Sequence, residues 1–139
     1  MPSILPASPI SRLSPSDLAL RIDTPDAPLV LDVRREAGFA MSAYIIAGAL
    51  RCLPEDVAAF ASAGPPREAV VYCVYGHNVS EEAALTLQAA GWTAHQLAGG
   101  IEGGEDGVDA PEDIAAWRAA VAPLRRVRTV PDAGNKAAT

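Results

Sequence analysis

The segment "VVYCVYGHNVSEEAALTLQAAGW", residues 70–92, joins an apolar run to an amphipathic run through a cysteine and a glycine. The β-branched and aromatic residues at 70–72 predict a buried strand, and the pattern after Ser80 predicts a helix that ends at Gly91. Gly76 allows the backbone conformations that a tight loop between the two elements needs. The segment therefore predicts a strand, a loop and a helix, with Cys73 where the strand meets the loop.

Strands and helices alternate along the rest of the chain. Further strands are predicted at 10–13, 27–33, 48–53 and 92–97, and further helices start near Ser14 or Ser16 and span 54–64 and 110–124. Residues 35–44 predict a weak helix. Right-handed crossovers between parallel strands place helices on both faces of a sheet. The pattern therefore predicts an α/β fold with ligand sites at the carboxyl ends of its strands.

A single domain is expected, because 139 residues of which 50% are hydrophobic can bury one core. We expect residues 1–9 to form an extended arm, residues 10–122 to form the domain, and residues 123–139 to form a flexible tail. The amino end has neither a basic region nor an unbroken apolar run, which predicts no export signal and no membrane anchor. Only two cysteines, Cys52 and Cys73, are present, which fits a reducing compartment and predicts a cytoplasmic location.

Charge and composition exclude several classes of partner. A net charge of −6 and a pI near 4.8 argue against nucleic acid, whose phosphates need clustered basic residues. Small anions remain possible ligands wherever local groups attract them. Two histidines and two cysteines scattered along the chain form no ligand spacing, so neither a metal nor an organic cofactor is expected.

The position of Cys73 indicates a nucleophile. A loop that leaves a strand and enters a helix offers unpaired backbone N–H groups and the partial positive charge of the helix, and both favour a thiolate. Ser80 is predicted to cap the helix, with Glu81 and Glu82 in its first turn. A buried cysteine at the end of a strand can equally be a small packing residue. The polar residues His77, Asn78 and Ser80 favour the anion site over packing.

Four motifs in order resemble a single domain of the rhodanese family: "LVLDVR" at 29–34, "VVYCVYG" at 70–76, "AALTLQAAGW" at 83–92 and "LAGGIEG" at 97–103. The resemblance covers residues 10–122 and implies a three-layer fold, with a five-stranded parallel sheet between helices. It also implies a sulfurtransferase, in which Cys73 takes a sulfane sulfur from a small anionic donor such as thiosulfate. The enzyme would hold this sulfur as a persulfide and pass it to a thiol or cyanide.

The resemblance assigns roles to residues around Cys73. The loop would bind the substrate through Val74, Tyr75, Gly76, His77, Asn78, Val79 and Ser80. Supporting positions are Asp32, Arg34, Gly99 and Gly100, and an ion pair that braces the loops is the expected role of the first two. A monomer and a homodimer are both compatible with the sequence.

The loop also departs from the family pattern. Many relatives have an arginine where Asn78 stands, and the serine arrives one residue later, at Ser80. Two alternatives to sulfur transfer follow. One is a non-catalytic sulfur carrier or partner-binding module. The other, a phosphatase or arsenate reductase of the same superfold, is disfavoured because Val79 stands where those enzymes have an oxyanion-binding arginine. We hypothesise that His77 supplies the missing charge or donor, the alternative being a solvent-facing ring.

Other residues are assigned ordinary roles. Cys52 is predicted to be a small residue beside a strand rather than a partner for Cys73, and His95 is predicted to be paired or exposed. Gly104, where relatives often have tryptophan, predicts a more open pocket edge. Packing is expected of Trp92 and Trp117, and solvated surface positions are expected of Arg51, Arg125, Arg126 and Arg128.

Overall fold

The structure, a computed structural model, describes residues 10–128. Its central sheet has five parallel strands in the order β1–β6–β5–β2–β4. The strands of this sheet are β1 (Ser11–Leu13), β2 (Leu29–Asp32), β4 (Leu50–Arg51), β5 (Glu68–Tyr72) and β6 (Thr93–Leu97). The predicted α/β fold with a five-stranded parallel sheet is confirmed. Because β5 and β2 lie side by side, the residues after Tyr72 and Asp32 meet at one edge of the sheet.

Helices cover both faces of the sheet. They are α1 (Pro15–Arg21), α2 (Glu36–Ala40), α3 (Val57–Ser62), α4 (Asn78–Ala89) and α5 (Pro111–Val121), with single 3₁₀ turns at Pro54–Asp56 and Ala122–Leu124. Ser14 caps α1 by accepting a hydrogen bond from the Asp17 N–H at 3.1 Å, and Pro15 occupies the first helical turn. Within residues 10–128, no helix is long and apolar enough to cross a membrane.

Alternation along each central strand produces two hydrophobic cores. Val30 and Val70 point to the face covered by α1 and α5, where they pack with Leu18. Leu31 and Val71 point to the opposite face, which α3 and α4 cover. A strand buried on both faces reads as a continuous apolar run, which is why β2 and β5 are evident in the sequence.

The prediction of a tail from residue 123 was wrong for residues 123–128. Residues Arg125–Val127 form strand β7, which pairs antiparallel with β3 (Tyr44–Ile46), a strand that begins at the last residue of the region predicted as a weak helix. The predicted solvated arginines there have partners: Arg125 stacks 5.0 Å from the Tyr44 ring centroid, and Arg126 donates to the Pro123 carbonyl at 2.8 Å. Tertiary pairing with β3 overrides the polar composition of the segment. The arm at 1–9 and the rest of the tail, 129–139, lie outside the described residues.

Candidate active site

Cys73 follows the last residue of β5 and begins a five-residue loop, 73–77, that leads into α4. Its side chain is 6% exposed and lines an open cavity of about 280 Å³. Among the predicted loop residues, Gly76 and Ser80 are buried, and those that share the cavity with Cys73 are Val74, Tyr75, His77, Asn78 and Val79. The structure therefore brings the predicted loop together around the cysteine.

The hydroxyl of Ser80 lies beside the sulfur. Cys73 Sγ and Ser80 Oγ are 3.2 Å apart, and both side chains are buried. The prediction that Ser80 caps α4 was wrong, because the helix begins at Asn78 and His77 stands at the capping position without a side-chain bond. Helical geometry from Asn78 onward turns Ser80 inward, toward the sulfur and the sheet.

Gln96 of β6 holds this hydroxyl and the loop from below. Its Nε2 lies 2.7 Å from Gly76 O, 2.9 Å from His77 O and 2.9 Å from Ser80 Oγ. Carbonyl oxygens only accept hydrogen bonds, so Nε2 is the donor and Ser80 Oγ accepts from it. With Cys73 as a thiol, Sγ donates to Ser80 Oγ, and the Ser80 hydroxyl donates to His77 O, 3.4 Å away. Once the thiol has lost its proton, rotation of the Ser80 hydroxyl offers the thiolate a donor across the same 3.2 Å.

Sequence reasoning missed Gln96 as a site residue. It lies two residues after Ala94, on the strand face that packs against α4, and it is 6% exposed. A glutamine on a face that is otherwise apolar is the signal that could have identified it, because a buried amide needs partners.

The backbone N–H groups of residues 74–80 donate to no carbonyl within residues 10–128. Regular helical bonding starts one residue later, where the Glu81 N–H donates to His77 O at 3.1 Å. Three of these donors belong to the first turn of α4, which also carries the positive end of the helix dipole. The loop therefore offers an array of free donors and partial positive charge to an anion.

A turn at Gly99 and Gly100 orients the loop peptides. The Ile101 N–H donates to Cys73 O at 3.1 Å, and the Glu102 N–H donates to Val74 O at 3.0 Å. In a trans peptide the N–H points away from the preceding carbonyl, so the N–H groups that follow these two carbonyls face away from the turn. The approach between the turn and the loop is close: a Cβ at Gly100, whose φ is +62°, would lie 2.5 Å from Cys73 O. Gly76 packs against the same turn with φ +81°.

Comparisons with known proteins identify the family of the chain. A sequence model of the Rhodanese-like domain matches residues 14–106. The chain belongs to the rhodanese-like domain family. No curated protein matches the chain.

Solved structures share the rhodanese fold. A rhodanese homologue from Thermus thermophilus is 27% identical over 66% of this chain and 96% of its own, with a TM-score of 0.53. A rhodanese-related protein from Thermoplasma volcanium is 25% identical over 66% of this chain and 87% of its own, with a TM-score of 0.55. A rhodanese-like domain protein from Staphylococcus aureus, 17% identical over 72% of this chain and 97% of its own, has a TM-score of 0.58 and shows likeness of fold alone.

The expected ion pair of the rhodanese domain forms beside the loop. Asp32 and Arg34 are fully buried, with Arg34 Nη2 2.6 Å from Asp32 Oδ2 and Arg34 Nε 3.0 Å from Asp32 Oδ1. Arg34 also donates to Tyr44 O at 2.9 Å and lines the cavity above Cys73.

Burial, assisted by the Asp32 carboxylate, raises the pKa of Tyr72. Its phenol therefore stays protonated, and its oxygen accepts a hydrogen bond from the Ile46 N–H at 3.1 Å.

His77 points toward two carboxylates that sequence reasoning missed. Its Nε2 lies 3.2 Å from Asp109 Oδ2 and 3.6 Å from Glu105 Oε1, at ion-pair distance but without hydrogen-bond geometry. The Glu105 N–H in turn donates to Asp109 Oδ2 at 2.7 Å. The two acids follow the Gly99–Gly100 turn, so only the folded loop brings them to His77. The role of His77 in binding a substrate stays a prediction.

One of the other assignments was wrong. Arg51 is 22% exposed, and its guanidinium carbon stacks 4.3 Å from the Phe39 ring centroid, so it is not a solvated surface residue. At Gly104 the backbone packs closely against α5, since a Cβ there would lie 2.9 Å from Ile114 Cγ1, and the more open pocket edge stays a prediction.

Three assignments agree with the structure. His95 pairs with Glu68 at 2.9 Å and with the Ser11 hydroxyl. Trp92 packs in the core. Burial raises the pKa of the Cys52 thiol, with a further contribution from Asp56, which fits an inert packing cysteine. Among residues 10–128, no His, Cys, Asp and Glu side chains group to hold a metal ion.

Proposed function

We propose that this rhodanese-like domain is a sulfurtransferase that carries a sulfane sulfur on Cys73. One observation carries the proposal: Cys73 lines an open cavity, next to the Ser80 hydroxyl and a loop whose N–H groups have no carbonyl partners in the described chain. A packing cysteine would need none of these donors. A thiolate and a persulfide, each with negative charge on sulfur, would both be stabilised by them.

The reaction has two nucleophilic steps. The Cys73 thiolate attacks the outer sulfur of thiosulfate, the S–S bond of the donor breaks, and its electron pair leaves with sulfite. The negative charge then sits on the outer sulfur of the persulfide, facing the loop donors. Cyanide or a thiolate attacks that outer sulfur, and the electron pair of the persulfide bond returns to Cys73 as thiolate. No oxidant or reductant is consumed over the cycle.

Charge around the cavity bears on the choice of donor. Residues 73–80 contain no lysine or arginine, and Glu105 lies at the cavity wall together with His77. Arg34 and Arg35 also line this cavity, but the Arg34 charge is paired with Asp32. The loop itself offers a dianion such as thiosulfate backbone donors and no cation. We therefore expect slow turnover with thiosulfate and faster turnover with a donor that carries less negative charge near its sulfane sulfur.

The test is a steady-state assay that measures thiocyanate formed from thiosulfate and cyanide. The wild-type protein should turn over, Cys73→Ser should not, and the matched control Cys52→Ser should keep the wild-type rate. Loss of activity in both variants to the same degree, or in neither, would contradict the assignment of Cys73. A small organic persulfide serves as a second donor, so that a low rate with thiosulfate is not mistaken for the lack of activity.

A second candidate is a non-catalytic module of the same fold. The absence of basic residues from 73–80 favours it. Such a module would acquire at most one sulfur per chain and would show no multiple turnover with either donor. The phosphatase candidate predicts hydrolysis of an aryl phosphate instead, and the sulfurtransferase proposal predicts none.

A further inference from the structure

Three arginines converge on a single aromatic ring next to the Cys73 cavity. The guanidinium carbons of Arg34, Arg51 and Arg128 lie 5.1, 4.3 and 4.1 Å from the centroid of the Phe39 ring. The three residues come from the end of β2, from β4 and from the segment after β7, so the fold rather than local sequence assembles them. We name this group the Phe39 arginine cluster.

Each guanidinium of the cluster keeps one buried nitrogen without a hydrogen-bond partner among the described residues: Arg34 Nη1, Arg51 Nη2 and Arg128 Nε. The other bonds of these side chains fix their positions. Arg34 is held by Asp32, Arg51 donates to Asp32 O at 3.1 Å, and Arg128 donates to Phe39 O at 3.0 Å. An unpartnered buried donor is costly, and here three of them occur around one ring.

The charge of the cluster is incompletely balanced. Asp32 forms its close ion pair with Arg34. Its contact with Arg51 is weaker, because Asp32 Oδ1 is as far as 4.0 Å from Arg51 Nη1. Glu36 is 76% exposed, and its carboxylate is 3.7 Å from Arg51 Nη2. Within residues 10–128, no carboxylate forms an ion pair with Arg128. A chain of net charge −6 thus concentrates uncompensated positive charge at this place.

We propose that the Phe39 arginine cluster binds a small oxyanion with several oxygen acceptors, of the sulfate or phosphate class. Planar guanidinium donors suit such an anion, since each can offer a charge-assisted N–H bond in a fixed direction. Arg51 is 22% exposed, which gives an ion a route from solvent to the cluster. The site uses no group of the Cys73 loop, and it shares Arg34 with the wall of the Cys73 cavity, whereas Arg51 and Arg128 do not line that cavity.

Isothermal titration calorimetry with sulfate and with phosphate, at constant ionic strength in chloride, tests this proposal on the full chain. We expect one saturable site for at least one of the two anions, and no comparable site for acetate. Arg51→Gln and Arg128→Gln should each weaken binding at least tenfold. Arg12→Gln is the matched control, because Arg12 also stacks on an aromatic ring, 5.6 Å from the Trp117 centroid, but lies outside the cluster. It should bind as the wild type does.

Further variants separate a binding role from a structural one. Arg51→Lys keeps the charge but loses the planar guanidinium with its several N–H donors, so it should bind the anion more weakly than wild type does. Its melting temperature in chloride should change little. Cys73→Ser should bind the anion normally, which distinguishes failure of this proposal from failure of sulfur transfer. Absence of saturable binding in the wild type, or unchanged binding in both glutamine variants, would overturn the proposal.

Discussion

Substitution of Gln96 tests most directly which hydrogen bonds fix the Cys73 loop. Its side-chain amide is the only group in the described chain that bonds Gly76 O, His77 O and Ser80 Oγ together, at 2.7, 2.9 and 2.9 Å. Gln96→Leu keeps a side chain of similar size and removes both N–H donors. Gly76 O then loses the one donor it has in the described chain, while His77 O keeps the Glu81 N–H and Ser80 Oγ keeps its contact with Cys73 Sγ.

The expected loss of stability follows from these hydrogen bonds. A buried acceptor left without a donor costs about 1–3 kcal/mol, and Gly76 O is the acceptor that Gln96→Leu leaves in this state. We therefore expect Gln96→Leu to lower the free energy of unfolding by about 1–3 kcal/mol. With Ser80 no longer fixed, its bond to the thiolate weakens. Loss of about 1.4 kcal/mol from that bond corresponds to about tenfold slower alkylation of Cys73 at neutral pH.

Two measurements check this prediction: urea unfolding followed by fluorescence, and the rate of iodoacetamide alkylation of Cys73 in folded protein. Gln88→Leu is the matched control, since the side-chain amide of Gln88 makes a long bond of 3.4 Å to Ala94 O, away from the loop. It should leave the alkylation rate of Cys73 close to the wild-type value. A Gln96→Leu protein with wild-type stability and a wild-type alkylation rate would refute the role assigned to Gln96.

Three further predictions concern neighbouring groups. Ser80→Ala should slow alkylation of Cys73 at neutral pH about tenfold, because the charge-assisted bond across 3.2 Å is lost. Gly100→Ala should lower the free energy of unfolding by at least about 3 kcal/mol in urea titrations, since a Cβ would lie 2.5 Å from Cys73 O at a φ of +62°. The hydrogen bond from Arg21 lowers the pKa of Glu68 to about 2 from 4.5, so Glu68 contributes stability above pH 4.5 that is lost as pH falls toward 2. Glu68→Gln should remove this part of the pH dependence of unfolding.

Controls accompany these predictions. Gly107→Ala has a similar φ of +83° but meets no atom within 4 Å, so it should cost only about 1–2 kcal/mol. A loss for Gly100→Ala no larger than this would contradict the proposed close approach. Ser80→Thr keeps the hydroxyl and should alkylate faster than Ser80→Ala. Parallel acid-unfolding curves for wild type and Glu68→Gln between pH 2 and 4.5 would show that the Glu68 ion pair is not as strong as its pKa indicates.

Local sequence patterns were sufficient to predict the central strands of the fold and the position of the cysteine loop. Continuous apolar runs identify β2 and β5, and the order of strand, cysteine loop and helix places Cys73 at the carboxyl edge of a parallel sheet. The consecutive glycines Gly99 and Gly100 indicate a tight turn from the sequence alone, because few other residues tolerate a close backbone approach at positive φ.

Other features depend on contacts between distant segments. Strand β7 has three residues, two of them arginines, and only pairing with β3 makes it a strand. Gln96 and Asp109 reach the loop from elements that are distant in sequence, so no spacing rule connects them to Cys73. The stacking of Arg51 on Phe39 likewise requires β4 and α2 to be brought together.

The central claim is that Cys73 accepts and releases a sulfane sulfur, and intact-protein mass spectrometry tests it most directly. After incubation with thiosulfate or a small organic persulfide and removal of the donor, we expect a mass increase of one sulfur atom on the wild type and on Cys52→Ser. Cyanide should then remove that sulfur, and Cys73→Ser should never gain it. A folded wild-type protein that gains no sulfur from either donor, or a gain that persists in Cys73→Ser, would contradict the claim.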